Sequence, residues 1–267
     1  MPDHTYVFVG GLHRSGTSLL ARSLEAHPAV SGFRGTGVPE DEGQHLQTVY
    51  PAGNRLGGAG RFAFSRGAHM TEDSPLATDE NRQRLLAEWN PHWDLSRPVL
   101  VEKSPPNAMR TRYLQAMFPG ARFVVMTRHP IAVAIATSKW TRSSLPRMIE
   151  HWLRCYETLL EDAPHVEHLR MLRYEDLVTR PDEELAAVQR FVGIEPRPSG
   201  VEVREGLNDS YFAGWEQRLS NPLRRAWYDR AARKLETRVN RFGYSLAPPR
   251  TLSTAAAAIA GSTQSGA

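Results

Sequence analysis

Short apolar runs alternate with stretches of helical spacing along most of the chain. Four runs predict buried strands, at 6–9, 98–101, 122–127 and 169–172. Helical spacing of apolar residues follows at about 16–26, 79–89, 107–118, 131–140, 145–162, 181–192 and 222–240. Strands that alternate with helices favour a parallel sheet covered on both faces, so we predict an α/β fold with three α/β/α layers.

Two segments interrupt this alternation. Residues 32–66 are rich in glycine and polar residues and lack periodicity, which is typical of a functional loop or lid. From Ala247 onward the chain is Ala, Ser, Thr and Gly without core residues. We therefore predict one domain over residues 1–246 and a disordered tail over 247–267.

Composition narrows the class of protein without naming its function. A net charge of +4 without runs of like charge gives no reason to expect a nucleic-acid partner. The chain shows neither a membrane-length apolar stretch nor a signal sequence, and its lone cysteine, Cys155, excludes an internal disulfide. We expect a cytoplasmic protein that does not interact with membranes.

The first strand leads into a glycine loop, Gly11–Ser18, which opens the first helix. Its glycines stand five apart and its last residue carries a hydroxyl group. In this context glycines let successive N–H groups point inward, and the helix N-terminus adds partial positive charge. We therefore predict a P-loop-like phosphate site formed by residues that include His13, Arg14, Ser15, Gly16, Thr17 and Ser18. A turn that merely joins strand to helix is the alternative.

The loop departs from the pattern of nucleotide triphosphatases. Thr17 stands where such a loop has its lysine, and the basic residue, Arg14, lies inside the loop instead. The third predicted strand ends in Arg128, and no strand ends in an aspartate that would hold magnesium. These substitutions predict a phosphate site without a metal.

Basic residues follow the ends of the predicted parallel strands. Arg128 and Arg173 each come directly after one, Lys103 comes two residues after another, and Arg14 lies in the loop after the first. Ligands of open parallel sheets bind beyond these carboxyl ends, so the convergence favours a polyanion over separate salt bridges. Because 30 of the 33 basic residues are arginine, a retained lysine at 103 suggests a catalytic role.

Together these motifs resemble the sulfotransferase family, whose members use 3′-phosphoadenosine 5′-phosphosulfate (PAPS) as donor. Residues 14–18 are similar to the Arg-Ser-Gly-Thr loop of tyrosylprotein sulfotransferases and many bacterial members, and 102–107 to a further bacterial element. Residues 173–177 and 241–244 are also similar, so the resemblance runs from about Tyr6 to Tyr244.

The resemblance implies roles for individual residues. Lys103 matches a catalytic lysine, and Arg128 matches the arginine that holds the 3′-phosphate. The family serine of that element falls at Ala136, where Thr137 or Ser138 would substitute, and Tyr174 would stack on or bond to the nucleotide. Residues 208–215 are similar to a late loop that closes over the donor.

The implied reaction moves a sulfuryl group to a hydroxyl of a small molecule or peptide. Arg14 and Lys103 would stabilise charge, without a metal cofactor. A general base must take the acceptor proton, and Glu40 is favoured over its neighbours Asp41 and Glu42, with His13 a second candidate. Two rival functions remain: a P-loop kinase, and a nucleotide-binding protein that transfers no sulfuryl group.

Overall fold

A parallel five-stranded sheet forms the centre of the fold. The computed structural model describes residues 4–202 and 206–252. Its central strands lie in the order β2-β3-β1-β4-β5, and every neighbouring pair is parallel. Their bounds are β1 Thr5–Gly11, β2 Val30–Ser31, β3 Val99–Lys103, β4 Arg122–Thr127 and β5 Leu169–Arg173.

Side chains that alternate along the strands serve two separate cores. Val7 and Val9 of β1 pack with Val124 of β4 against one helical layer. This layer consists of α1 (Thr17–Glu25), α6 (Tyr174–Thr179) and α7 (Pro181–Phe191). Both faces of the sheet are apolar because both are covered.

The intervening residues Phe8 and Phe123 point to the opposite face. There they pack with Trp89 and Tyr113 in an aromatic cluster. This layer contains α2 (Asp79–Trp89), α3 (Thr111–Met117), α4 (Pro130–Thr137), α5 (Leu145–Asp162), α8 (Leu207–Arg218) and α9 (Pro222–Asn240). The predicted three-layer α/β/α fold with a central parallel sheet is thereby confirmed.

Helix bounds follow local signals closely where these are strong. The Thr78 hydroxyl caps α2 by accepting the N–H of Asn81 at 3.2 Å, and the predicted bounds of α2, α5 and α9 agree with the structure. The predicted helix over 107–118 is instead a 3₁₀ turn at Pro105–Met109 followed by α3. The pair Pro105-Pro106 favours the tighter turn, because proline lacks the N–H that an α-helix interior needs.

The predicted tail begins with ordered structure. β6 (Tyr244–Leu246) and β7 (Pro249–Thr251) form an antiparallel hairpin, and Arg173 Nη1 donates to the Leu252 carbonyl at 3.0 Å. The ordered part of the domain therefore extends past Ala247, where disorder was expected to start. Residues 253–267 of that expected tail lie outside the described residues.

The segment between β2 and α2 has little regular structure but a fixed course. It forms 3₁₀ turns at Pro39–Asp41, Gly43–His45, Gly53–Leu56, Phe62–Phe64 and Arg66–Ala68. Gln44 and Phe62 are buried. No helix among the described residues is long and apolar enough to cross a membrane.

Candidate active site

The predicted phosphate loop lies between β1 and α1 and curls as expected. Gly11 and Gly16 have φ angles of 138° and 102°, which other residues rarely adopt. A Cβ on Gly16 would lie 2.7 Å from Cδ2 of Tyr174. Arg14 also has a positive φ of 70°, a conformation that costs a non-glycine residue about 1–2 kcal/mol. Strain of this kind concentrates at functional sites.

Buried hydrogen bonds hold the loop from beneath. Ser15 is buried, and its hydroxyl donates to the Leu12 carbonyl at 2.6 Å. The Tyr156 hydroxyl accepts the Leu12 N–H at 3.1 Å and donates to the Met126 carbonyl at 2.7 Å. The Ser15 side chain therefore shapes the loop, and Tyr156, which no sequence motif indicated, ties it to β4.

A cavity of about 470 Å³ opens above the loop. Most of the residues predicted from the sequence line it: His13, Arg14, Gly16, Thr17, Ser18, Glu40, Arg128 and Tyr174. Glu42, Trp140 and Leu207 line it as well. The fold thus brings together residues that are up to 194 positions apart in the chain. We call this the donor cavity.

Arg128 lines the donor cavity, is 4 % exposed and is held in one orientation by its neighbours. Its Nε donates to Oδ1 of Asn208 at 2.8 Å and its Nη1 to the Arg14 carbonyl at 3.1 Å. Its guanidinium carbon lies 4.0 Å from the centre of the Tyr174 ring. The buried Nη2 has no hydrogen-bond partner among the described residues. A buried, unpaired N–H on a cation is suited to binding an anion.

Glu175 organises the surroundings of Arg128 and was missed as a functional residue. Its Oε1 accepts the His129 N–H at 2.9 Å and the Asn208 amide at 2.7 Å. Its Oε2 accepts the Tyr244 hydroxyl at 2.9 Å. Asn208 belongs to α8, so the segment expected to be a closing loop over 208–215 is helical.

Ser138, predicted as a phosphate contact, does not line the donor cavity. It follows α4, where its hydroxyl donates to the Ile135 carbonyl at 2.8 Å and accepts from Arg218 at 3.1 Å. Arg173 does not line this cavity either, and Asp176 accepts its Nε at 2.6 Å. Of the four predicted cations, Arg14 and Arg128 line the donor cavity, and Lys103 lines the neighbouring one.

Lys103 reaches the site from the end of β3. It is 7 % exposed, and its ammonium donates to the Glu40 carbonyl at 2.8 Å and lies 3.2 Å from Oε1 of Glu42. A second cavity of about 380 Å³ is lined by Lys103, and it shares Ser18, Arg22 and Glu40 with the donor cavity. Lys103 thus lies at the junction of the two cavities.

The three acids of the acidic turn, residues 39–42, have separate surroundings. Glu40 has a φ of 54°, and its carboxylate accepts the Ser18 hydroxyl at 3.4 Å, at the edge of the phosphate loop. The Asp41 carboxylate accepts the N–H and hydroxyl of Thr36 at 2.8 and 2.6 Å. Glu42 is buried against Lys103. Glu40 is therefore the exposed acid at the cavity, and Asp41 stabilises the turn.

A buried carboxyl group anchors the acidic turn from below. Glu102 accepts the Ser104 hydroxyl and the Asn107 amide, both at 2.5 Å, and burial raises its pKa to about 7. Ser104 in turn accepts the Gln44 N–H at 3.0 Å. A Cβ on Gly43 would lie 2.5 Å from Cγ of Glu102, so only glycine allows this close approach.

His13 is kept neutral at physiological pH. Burial, the nearby Lys103 and His45 lower its pKa to about 4. Its ring centre lies 5.8 Å from that of Phe62. His13 therefore supplies shape and a neutral imidazole to the loop rather than a positive charge. Within residues 4–202 and 206–252, no three His, Cys, Asp or Glu side chains cluster as metal ligands would.

In sum, the site can hold an anion on backbone N–H groups and guanidinium groups. A lysine lies beside it, and a solvent-accessible carboxylate faces the same space. Such an arrangement is suited to group transfer from a bound phosphate ester, with charge stabilisation by Lys103 and proton acceptance by Glu40.

Comparisons with known proteins show which family of proteins this chain resembles. The profile of the sulfotransferase family matches residues 7–198. The chain is 26 % identical over 242 residues to nodulation protein NoeE of Sinorhizobium fredii (strain NBRC 101917 / NGR234), covering 77 % of this chain and 54 % of the relative. It is 25 % identical over 197 residues to protein-tyrosine sulfotransferase 2 of Gallus gallus, covering 70 % and 51 %.

Among solved structures, sulfotransferase STF9 from Mycobacterium avium superposes with a TM-score of 0.50 and 13 % identity, over 83 % of this chain and 70 % of that one. At this identity the similarity concerns the fold alone. The chain spans about half the length of the curated relatives it matches.

Proposed function

This chain belongs to the sulfotransferase family, and we propose that it transfers a sulfuryl group from PAPS to a hydroxyl acceptor by in-line displacement. The observation that carries the proposal is the convergence of Arg14, Arg128 and the curled phosphate loop on one cavity, with Lys103 at its edge. The acceptor we propose is a small molecule or a peptide. One relative is named a protein-tyrosine sulfotransferase, which supports a peptide among the candidate acceptors.

The residues present fit a nucleotide that carries phosphate groups at both the 3′ and the 5′ position of its ribose. The loop N–H groups, the N-terminus of α1 and Arg14 would hold the 5′-phosphate. Arg128 would hold the 3′-phosphate, since its buried Nη2 otherwise lacks a partner among the described residues. Leu19, Leu207 and the Tyr174 ring line the same cavity and offer an apolar surface to a base.

When bound, PAPS supplies an electrophilic sulfur on a good leaving group. The new bond joins the acceptor oxygen to sulfur, and the bond from sulfur to the 5′-phosphate oxygen breaks. Lys103 would neutralise the charge that grows on that bridging oxygen. Glu40 would accept the acceptor proton, because its carboxylate faces the edge of the loop.

Glu42 has a supporting role in this proposal. It holds the Lys103 ammonium at 3.2 Å, and together with the Glu40 carbonyl it fixes a flexible four-carbon side chain. Because Arg14, Lys103 and Arg128 supply positive charge around the donor, we propose a reaction without a metal cofactor. The buried free thiol of Cys155 supports a cytoplasmic location.

The direct test is transfer of label from ³⁵S-PAPS to a panel of phenols, sugars, lipids and tyrosine peptides in EDTA. We expect one or more labelled products that wild-type protein forms and Lys103→Ala forms slowly. Magnesium-dependent ATP hydrolysis would support the kinase instead. Tight nucleotide binding without transfer to any acceptor would support a binding protein.

A further inference from the structure

A third cavity, lined by arginine side chains, lies outside the two cavities of the candidate active site. It has a volume of about 420 Å³ and is lined by Arg61, Arg142 and Arg147, together with Phe64 and Ser143. It forms between residues 56–65 and the start of α5. We call it the arginine pocket. None of the described residues that line it is acidic.

The three guanidinium groups have no counter-charge within the described ranges. No carboxylate there lies within 4.0 Å of Arg61, Arg142 or Arg147, although Arg180 and Arg238 each contact two or more acids. Like charges around one cavity repel each other, and a bound anion would remove that repulsion. The chain therefore concentrates positive charge here without neutralising it.

One of these arginines is held in place. The guanidinium carbon of Arg147 lies 4.0 Å from the centre of the Phe64 ring. Stacking of this kind restricts the planar group and leaves its N–H donors at the edge free to bind. Phe64 itself packs against His151, with ring centres 5.6 Å apart. A guanidinium held in this way loses little entropy on binding a ligand.

The start of α5 adds to the positive potential. Its first turn contains no acidic residue, and the Ser144 side chain makes no cap hydrogen bond. Arg147 stands in that turn, where the helix dipole disfavours a cation. The first turns of α2 and α7 carry two and three acids, whereas those of α1, α3, α4 and α9, like that of α5, carry none. The start of α5 therefore adds positive potential to the arginine pocket, with no acid in its own first turn to offset it.

Two chain segments connect the arginine pocket to the donor cavity. Trp140 lines the donor cavity, and Arg142, two residues later, lines the arginine pocket. On the other side, the His13 ring of the phosphate loop lies beside Phe62, two residues before Phe64. The same two stretches of the chain therefore border both cavities.

We propose that the arginine pocket binds a phosphate or carboxylate group of the acceptor, whose hydroxyl reacts in the donor cavity. This inference rests on the proposed sulfotransferase function and narrows its substrate class to acceptors that carry an anionic group away from the reacting hydroxyl. Arg142 and Arg147 act as specificity-determining residues, and Arg61 adds to the positive electrostatic potential of the pocket.

The test is a calorimetric titration with inorganic pyrophosphate after the donor cavity has been saturated with adenosine 3′,5′-bisphosphate. We expect one further binding site in the wild type, weakened at least 10-fold in Arg142→Gln/Arg147→Gln. Arg224→Gln, a change to an exposed arginine of α9, is the matched control and should bind as the wild type does. Affinity should fall with added salt.

A second arm distinguishes an acceptor group from a free anion. In the ³⁵S-PAPS assay, pyrophosphate should raise the KM of an anionic acceptor and leave that of a neutral acceptor unchanged. Equal effects on both would overturn the assignment to the acceptor.

If the wild type has no pyrophosphate site, or if the double variant binds pyrophosphate as tightly as the wild type, the proposal that the arginine pocket binds an anion is overturned. If adenosine 3′,5′-bisphosphate fails to bind, the proposed function fails. The pyrophosphate affinities of the wild type and the double variant can still be compared in the absence of that nucleotide. The two failures are therefore distinguishable.

Discussion

The two sides of the donor cavity are built in different ways. On the loop side, residues 11–18, the backbone forms the site, and aromatic and hydroxyl groups beneath fix its curl. On the acidic-turn side, side chains form the site: Lys103 is held by Glu42 and by the Glu40 carbonyl. The backbone loop is suited to binding a phosphate that stays in place. The Lys103 side chain is suited to stabilising charge that develops during the reaction.

This difference predicts that the two sides can be disabled separately. Loss of Lys103 should affect turnover, and distortion of the loop should affect nucleotide affinity. The predictions below test that separation, beginning with the largest effect.

Lys103→Ala should lower turnover about 100- to 1,000-fold, the usual cost of removing one transition-state donor. Affinity for adenosine 3′,5′-bisphosphate should stay within a few-fold of wild type, because Arg14, Arg128 and the loop remain. Steady-state rates with ³⁵S-PAPS give the turnover, and calorimetry gives the affinity for adenosine 3′,5′-bisphosphate. Lys234→Ala, on exposed α9, is the control. Unchanged turnover would remove Lys103 from the mechanism.

Within the acidic turn, Glu40→Gln should lower turnover about 100-fold, as expected for loss of a general base. Glu42→Gln should lower it only about 10-fold, because an amide oxygen can still accept from Lys103 although the ion pair is gone. Steady-state turnover of the two variants, compared with that of the wild type, separates the roles. The opposite order of effects would assign the base to Glu42.

On the loop side, Gly16→Ala should weaken adenosine 3′,5′-bisphosphate binding about 10- to 100-fold. The new methyl group would meet the Tyr174 ring at 2.7 Å, and a φ of 102° is strained for alanine. Gly35→Ala is the matched control, since it has a positive φ of 63° and no atom within 4 Å of the added Cβ. Equal affinity in both variants would show that the close fit does not matter.

The two sides should also respond to pH with opposite signs. The lowered pKa of His13, about 4, gives stability that is present above pH 6.5 and is lost as the pH falls towards 4. The raised pKa of Glu102, about 7, gives stability that is present below pH 4.5 and is lost as the pH rises through 7. Each effect is on the order of 3 kcal/mol at most, at 1.36 kcal/mol per pKa unit.

Urea unfolding from pH 4 to 8 measures both effects. The destabilisation caused by His13→Asn should shrink as the pH falls, and Glu102→Gln should gain stability relative to wild type as the pH rises. Parallel pH curves for the two variants and the wild type would contradict the assigned pKa shifts.

The sequence predicted the fold and the strand–loop–helix geometry around residues 11–18 well, because both depend on local signals. Alternating apolar runs fix the strands, and glycine spacing between β1 and α1 fixes the loop. It also indicated Lys103 and Arg128 as residue types at strand ends. Local patterns could not predict which side chains pair across the fold. Asn208 contacts Arg128, Glu42 contacts Lys103 and Glu175 holds Asn208 only through the tertiary structure.

Placement of the hydroxyl groups was the weakest prediction. Ser15 turns inward to Leu12, and Ser138 bonds to Ile135 and Arg218, because a short polar side chain near a helix end finds backbone partners easily. The hairpin after Tyr244 was missed because β6 and β7 have only three residues each. Short strands carry too few alternating positions to be recognised.

Calorimetry with adenosine 3′,5′-bisphosphate in EDTA tests the central claim most directly. The account predicts binding by the wild type, and about 10- to 100-fold weaker binding by Arg128→Gln, in line with loss of charge-assisted hydrogen bonds. Adenosine 5′-phosphate, which lacks the 3′-phosphate, should bind both proteins with similar affinity. Failure of the wild type to bind adenosine 3′,5′-bisphosphate would contradict the account.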